Sequence, residues 1–193
     1  MERGKTTTMS VRKLVVTGML TGITIFMGLT GLGFIAIPPV KATIMHIPVI
    51  IGAIIEGPLV GAAVGLCFGL FSMYQAFANP LPTSFLFWNP IIAIVPRVLI
   101  GLVAYYVYTL VKKKFPKLGV GVAALAGTLT NTILVLGLAY ILYAAKFAEA
   151  VGINPDTVGK VLLTTGVING IPEAIISALI AIPVITTLKK IRI

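Results

Sequence analysis

Charge is scarce in this chain of 193 residues: 10% of its residues are Asp, Glu, Lys or Arg, and only five are acidic. It has one cysteine, Cys67, which excludes an internal disulfide and, in its apolar run, reads as a packing residue. One histidine and one tryptophan, His46 and Trp88, complete the short inventory of special side chains. No Gly-x-x-x-x-Gly-Lys-Ser/Thr run is present, so the sequence offers no phosphate-binding loop with which to hydrolyse ATP. No cluster of His, Cys and carboxylates points to a metal or another cofactor, and the titratable groups are too scattered for a membrane-embedded enzyme. What is abundant is apolar: 58% of residues are hydrophobic and the mean hydropathy is +1.08. That excludes an ordinary soluble domain and a disordered tail. At ~20 apolar residues per span, six spans take roughly 120 residues and leave only short connections.

The apolar segments predict an all-α membrane protein, a single transmembrane domain of six helices over 14–37, 43–55, 59–78, 91–111, 118–145 and 158–188. The first is too long for a signal-peptide core and reads as a retained helix. Pro38-Pro39, with Lys41 beside them, break it from the second, which is short for a full span. Glu56-Gly57-Pro58 marks a tight turn, where the carboxylate of Glu56 is expected to stay hydrated. The stretch 79–90 has too many prolines for a regular element and too many aromatics for a bare linker, so it predicts an ordered loop at the membrane surface. Six spans put both termini on one side. In that arrangement eleven of the fifteen Lys and Arg fall on the terminal side, leaving Lys41, Lys146 and Lys160 opposite and Arg97 inside span four. The asymmetry predicts cytoplasmic termini. It accounts for the net charge of +10 through orientation and attraction to the lipid bilayer, leaving no need for a nucleic-acid partner.

Polar groups within the spans are the first candidates for function, because a central Arg costs roughly 2.5–3.5 kcal/mol on insertion scales. Arg97 is too deep to reach the surface easily; it either anchors a carboxylate or phosphate or pairs with Glu173. Asn169 and Glu173 stand four apart on one face of span six, next to Pro172, and either line a cavity or join helices. Asn131, near the middle of span five beside Thr128, Thr130 and Thr132, needs hydrogen-bond partners. His46 reads as a hydrogen-bonded core residue. Tyr74 and Gln75, near the outer end of span three, line a vestibule or sit at the interface. Phe85, Phe87, Trp88, Asn89 and Pro90 together resemble a lid over an outward-facing cavity. Two small-residue stripes remain, Gly57, Gly61, Gly65 and Gly69, which internal packing explains, and Gly18 and Gly22, which suit close approach by another helix or subunit.

These features resemble the substrate-binding S components of bacterial energy-coupling factor (ECF) vitamin transporters. The resemblance covers nearly the whole chain and is most specific from Ile44 to Gly65, with support from Trp88-Asn89-Pro90 and from Asn169 to Glu173. In the helix-one motif Gly18 and Gly22 stand where family members usually carry alanine. The resemblance implies the S-component fold, a multi-pass location in the bacterial plasma membrane and high-affinity capture of a small-molecule vitamin without chemistry or cofactor. It also implies pairing with a membrane coupling (T) subunit and two cytosolic ATPase subunits, with Gly18 and Gly22 at the docking face and residues 80–89 gating the cavity.

Likeness of fold does not choose the ligand; the buried cation does. Arg97 favours an anion, and the sequence is most like the pantothenate-type members. Pantothenate offers a carboxylate to Arg97 and amide and hydroxyl groups to Asn131, Asn169 and Glu173, with Tyr74, Gln75, Trp88 and Asn89 nearer the mouth. A folate or vitamin B6 form is the alternative within the family. Outside it stand a stand-alone secondary carrier or small channel, for which Glu173 is the sole coupling carboxylate, and a purely structural subunit, which has no use for Arg97.

Overall fold

The computed structural model describes residues 10–37, 40–115 and 118–191. Its elements are α1 (Val11–Thr30), β1 (Phe34–Ile37), β2 (Val40–Thr43), α2 (Ile47–Glu56), α3 (Pro58–Ala78), α4 (Pro90–Lys114), α5 (Gly119–Val151) and α6 (Val158–Ile191). Five of the six helices are long and apolar enough to cross a membrane. The exception, α2, has ten residues and therefore spans only about 15 Å.

Local chemistry sets the boundaries. The Ser10 side chain accepts the Lys13 N–H to start α1, and Gly31, at φ +75°, ends it in a left-handed cap. The first span thus stops at Thr30, short of the expected 37. Residues 34–37 instead pair with 40–43 in an antiparallel hairpin, Phe34 opposite Thr43 and Ile37 opposite Val40. The same pairing delays the second helix, expected from 43, until Ile47. Hydropathy sees one apolar run in each case and does not register the change of backbone. The Pro38-Pro39 break and the basic residues Arg3, Lys5, Lys117 and Arg192 lie outside the described residues. Gly57, at φ +105°, is the single residue between α2 and α3, a turn that only glycine adopts without strain, and Pro58 then opens α3. The predicted ordered loop contains a 3-10 helix, Ser84–Trp88, and Asn89 caps α4 by accepting the Ile91 N–H at 2.9 Å. Helix α5 runs to Val151, six residues past the expected end, with a kink at Tyr143.

The bundle has two distinct ends. Arg12 bonds Glu56, the backbone of Gly119 comes against that of Lys112, and Lys189 bonds Tyr108, so the described ends of the first and last helices share one end. At the other, the Trp88 indole N–H donates to the Ala76 carbonyl, and the Asn89 amide donates to the Tyr143 hydroxyl. Between them lies a core of Val49, Ile50, Val60, Val64, Ile100 and Ile185, all fully buried. Glu56 departs from expectation. Its side chain is 2% exposed and accepts from Arg12 Nε at 3.1 Å, so the turn buries the carboxylate against a cation from α1.

The stripe on α3 is the closest helix contact. A Cβ on Gly61 would stand 3.1 Å from Gly101 Cα, one on Gly69 would stand 2.8 Å from the Ala93 carbonyl, and one on Gly65 would strike the Arg97 carbonyl. These neighbours are backbone and cannot rotate away. By contrast nothing lies within 4 Å of a Cβ on Gly18 or Gly22. Gly65→Ala should therefore lower stability by about 1–3 kcal/mol through overpacking. Gly18→Ala should leave it nearly unchanged, the comparison being made by thermal unfolding of the two variants in the same detergent.

Candidate functional site

The site begins with a missing donor. Pro96 lies inside α4 and has no N–H, so the carbonyl of Ile92, one turn earlier, loses its helical partner. Arg97 Nη1 donates to that carbonyl at 2.8 Å, which folds the guanidinium back along its own helix. The Arg97 Cζ then lies 5.5 Å from the ring centroid of Phe68 on α3 and 4.9 Å from that of Phe87 in the 3-10 helix. Two aromatic faces and one carbonyl stabilise the cation where water does not. They do not satisfy it. Arg97 Nε is buried with no hydrogen-bond partner among the described residues, and no carboxylate lies within ion-pair distance. The pairing with Glu173 considered from sequence is absent.

Asn131 on α5 adds the complementary vacancy: its Oδ1 is buried and accepts nothing. Arg97 and Asn131 line the same cavity of about 390 Å³, together with Gln75, Ser72, Thr43 and Phe87. That is within the roughly 300–1,000 Å³ of small-molecule sites. Two of the lining residues thus carry an unpartnered polar atom, a guanidinium N–H and an amide oxygen. Gln75 is held by a bond from Nε2 to the Gly28 carbonyl at 3.3 Å, and Leu81, Thr83 and Ser84 bring the loop before α4 over the cavity.

The other expected site residues stand apart. Glu173 faces the hairpin, its Oε1 accepting the Thr43 N–H at 2.7 Å, and so acts on the cavity through Thr43. Asn169 has an unpartnered Oδ1 but does not line this cavity. Trp88, 45% exposed, stacks on Phe77 with centroids 5.5 Å apart, while Asn89 serves the α4 cap. Tyr74 is 62% exposed and turned away beside Phe71. Gly18 and Gly22 are exposed on α1. His46 is buried at the start of α2, 2.8 Å from the Thr128 hydroxyl, which itself donates to the Ala124 carbonyl. His46 Nε2 is therefore the donor, and its Nδ1 is left without a partner.

Sequence reasoning missed Thr43, Met45, Phe68 and Ser72, all in the cavity wall. One signal was available: proline at 96 frees the carbonyl at 92, and an adjacent arginine is a natural donor for it. A larger cavity, about 620 Å³ between α5 and α6, is apolar apart from Thr132 and the Tyr140 hydroxyl, and it has no unsatisfied charge. The smaller one carries the polar chemistry. Among the described residues no group of three His, Cys, Asp or Glu is placed to hold a metal.

Comparison with known proteins bears on the family as a whole. Residues 12–185 match the family described as "ECF transporter, substrate-specific component". The pantothenic acid transporter PanT of Lactococcus lactis subsp. cremoris is 36% identical over 168 residues, 80% of this chain and 81% of that protein. The pantothenate transporter PanT of Leuconostoc mesenteroides subsp. mesenteroides is 33% identical over 118 residues, 58% of each.

The Glu173 contact generates a test. Glu173→Ala strips the Thr43 N–H of its acceptor, and the hairpin should open locally with a loss of about 1–3 kcal/mol. Glu173→Gln keeps an acceptor oxygen and should retain most of the protection. Hydrogen exchange at the Thr43 amide reads the difference directly.

Proposed function

We propose, from the premise that the chain belongs to the substrate-specific component family of ECF transporters, that it captures pantothenate in the cavity walled by Arg97 and Asn131. It is a multi-pass protein of the bacterial plasma membrane, in a family of transport subunits. The observation that carries the ligand reading is that one cavity is lined by Arg97 and Asn131, each of which carries a buried polar atom without a partner among the described residues. Pantothenate has a carboxylate at one end and an amide and two hydroxyls along its length. The carboxylate completes the guanidinium, forming a charge-assisted bond in a site of low dielectric. A hydroxyl or amide N–H of the same molecule fills the Asn131 acceptor. The names of both relatives support the same ligand.

Binding needs no covalent chemistry. The loop carrying Ser84 and Phe87 contributes both a wall and one face of the Arg97 cradle, so ligand entry and the Phe87 contact are linked. Trp88, at the end of that 3-10 turn, reports its movement. In this reading the cavity end faces outward and the basic end faces the cytoplasm, where the excess of Lys and Arg favours it. ATP is hydrolysed by two separate cytosolic subunits, and a membrane coupling subunit meets α1 at Gly18 and Gly22, whose exposed surface leaves room for a neighbouring helix. A stand-alone carrier fits less well, because Glu173, the sole candidate for coupling in the spans, is engaged by the hairpin backbone.

Calorimetry on the purified chain, with Trp88 fluorescence as a second signal, tests the reading. Pantothenate should bind saturably. Arg97→Ala should weaken it by 2–5 kcal/mol, about 30-fold to several-thousand-fold, as for the loss of one partner of a buried charge pair. Asn131→Leu should cost about tenfold, one hydrogen bond to a ligand with an unsatisfied donor left behind. Tight binding of a folate or a vitamin B6 form in place of pantothenate would keep the anion site and change the substrate. Unaltered pantothenate binding by Arg97→Ala would remove Arg97 from the site.

A further inference from the structure

The end of the bundle opposite the cavity carries a second concentration of unbalanced charge. Lys112, Lys113 and Lys114 close α4, and Lys189 and Lys190 close α6. The described acids are elsewhere or engaged: Glu56 bonds Arg12, Glu173 bonds Thr43, and Glu149 and Asp156 flank the α5–α6 turn at the cavity end. Two of the five lysines converge on one side chain. Lys189 Nζ donates to the Tyr108 hydroxyl and lies 3.9 Å from its ring centroid, while Lys112 Nζ lies 5.0 Å from the same centroid. Tyr108 and Lys112 are one turn apart on α4, so they share a face, and Lys189 reaches them from α6.

The tyrosine oxygen accepts from Lys189, and no acceptor among the described residues takes its own O–H. Two ammonium groups and a phenolic proton are thus gathered with no anion from the described residues between them. Like charges repel, and such an arrangement is stabilised by a multivalent oxyanion that accepts from all three. The surroundings identify its source. Leu110, Phe115, Leu188 and Ile191, large, apolar and exposed, flank the lysines at the boundary of the membrane-spanning surface. A free anion has no use for them, whereas acyl chains lie against them while the phosphate stays at the level of the lysines. We propose that Tyr108, Lys112 and Lys189 form a binding site for the phosphate of an anionic phospholipid, joining the ends of α4 and α6.

The full chain, purified and delipidated in detergent, is titrated with dioleoyl-phosphatidylglycerol or dioleoyl-phosphatidylcholine, and retained lipid is counted by native mass spectrometry. Saturable retention of phosphatidylglycerol over phosphatidylcholine is expected. Lys112→Gln and Lys189→Gln should each weaken it by about tenfold, the effect of one charge-assisted hydrogen bond. Lys113→Gln and Lys190→Gln remove the same charge away from Tyr108 and should leave it unchanged. Tyr108→Phe keeps the ring and should weaken binding through the lost hydroxyl, which holds the test open if a lysine variant fails to fold by circular dichroism. Equal losses for all four lysine variants would reduce the site to diffuse surface charge and overturn the proposal. So would equal retention of the two lipids, or displacement of the lipid by an equimolar amount of inorganic phosphate.

Discussion

A buried guanidinium without a carboxylate is the constraint around which the cavity end is built. In the apolar interior of a membrane protein, Arg97 must find a hydrogen-bond acceptor in the protein itself. Pro96 supplies it by releasing the Ile92 carbonyl, and the bond that results fixes the side chain against its own helix. The two rings then have to arrive from separate elements, Phe68 from α3 and Phe87 from the 3-10 turn. For Phe68 to do so, α3 must run close beside α4 at the level of Arg97, which is where Gly65 lies against the Arg97 carbonyl. The glycine stripe, the internal proline and the aromatic loop are parts of one solution. What that solution omits is a partner for Nε, and in the proposed reading that omission gives the cavity its preference for an anion.

Glu173 shows why the omission persists. A carboxylate in the spans and a lone arginine invite a salt bridge, yet the acid is directed to a backbone amide of the hairpin. Neutralising Arg97 internally would leave the cavity with no charge to offer. Directing Glu173 to Thr43 instead positions a wall residue and keeps the cation available. In the proposed reading buried charge serves selection of a ligand more than stability, consistent with the small or negative net value of buried ion pairs.

Much of this was legible from sequence, for a simple reason: when charged and amide side chains are rare, each one is conspicuous. Arg97, Asn131 and Gln75 were found that way, and all three line the cavity. The helical membrane architecture followed from hydropathy alone. The hairpin did not, because an apolar strand and an apolar helix end have the same hydropathy and differ only in the left-handed turn at Gly31. Thr43, Met45 and Ser72 were hidden by their ordinariness in a membrane span. Glu56 was misjudged because its position in a turn predicts hydration, while its actual partner, Arg12, is 44 residues away in sequence. Trp88 and Tyr74 were singled out as aromatics near a mouth, a criterion that does not tell an inward ring from one facing outward.

The two halves of α1 answer to different neighbours, and that division bears on how a binding subunit communicates. Near its end, Gly28 is buried against Phe71 and Met45, and its carbonyl holds Gln75. Met45 and Gln75 are cavity-wall residues, so this part of α1 is joined to the cavity wall. Toward its start, Gly18 and Gly22 meet nothing, and Leu14, Val15 and Met19 are exposed. That part of α1 is held by the Arg12–Glu56 ion pair, in which only the acid is buried, and by Val16 and Leu20 packed on the core. One helix thus touches the cavity wall near its end and presents an open, exposed face nearer its start. In the proposed reading the glycines permit close approach by a coupling subunit there, and Gly28, close against Phe71 and Met45, joins the same helix to the cavity wall.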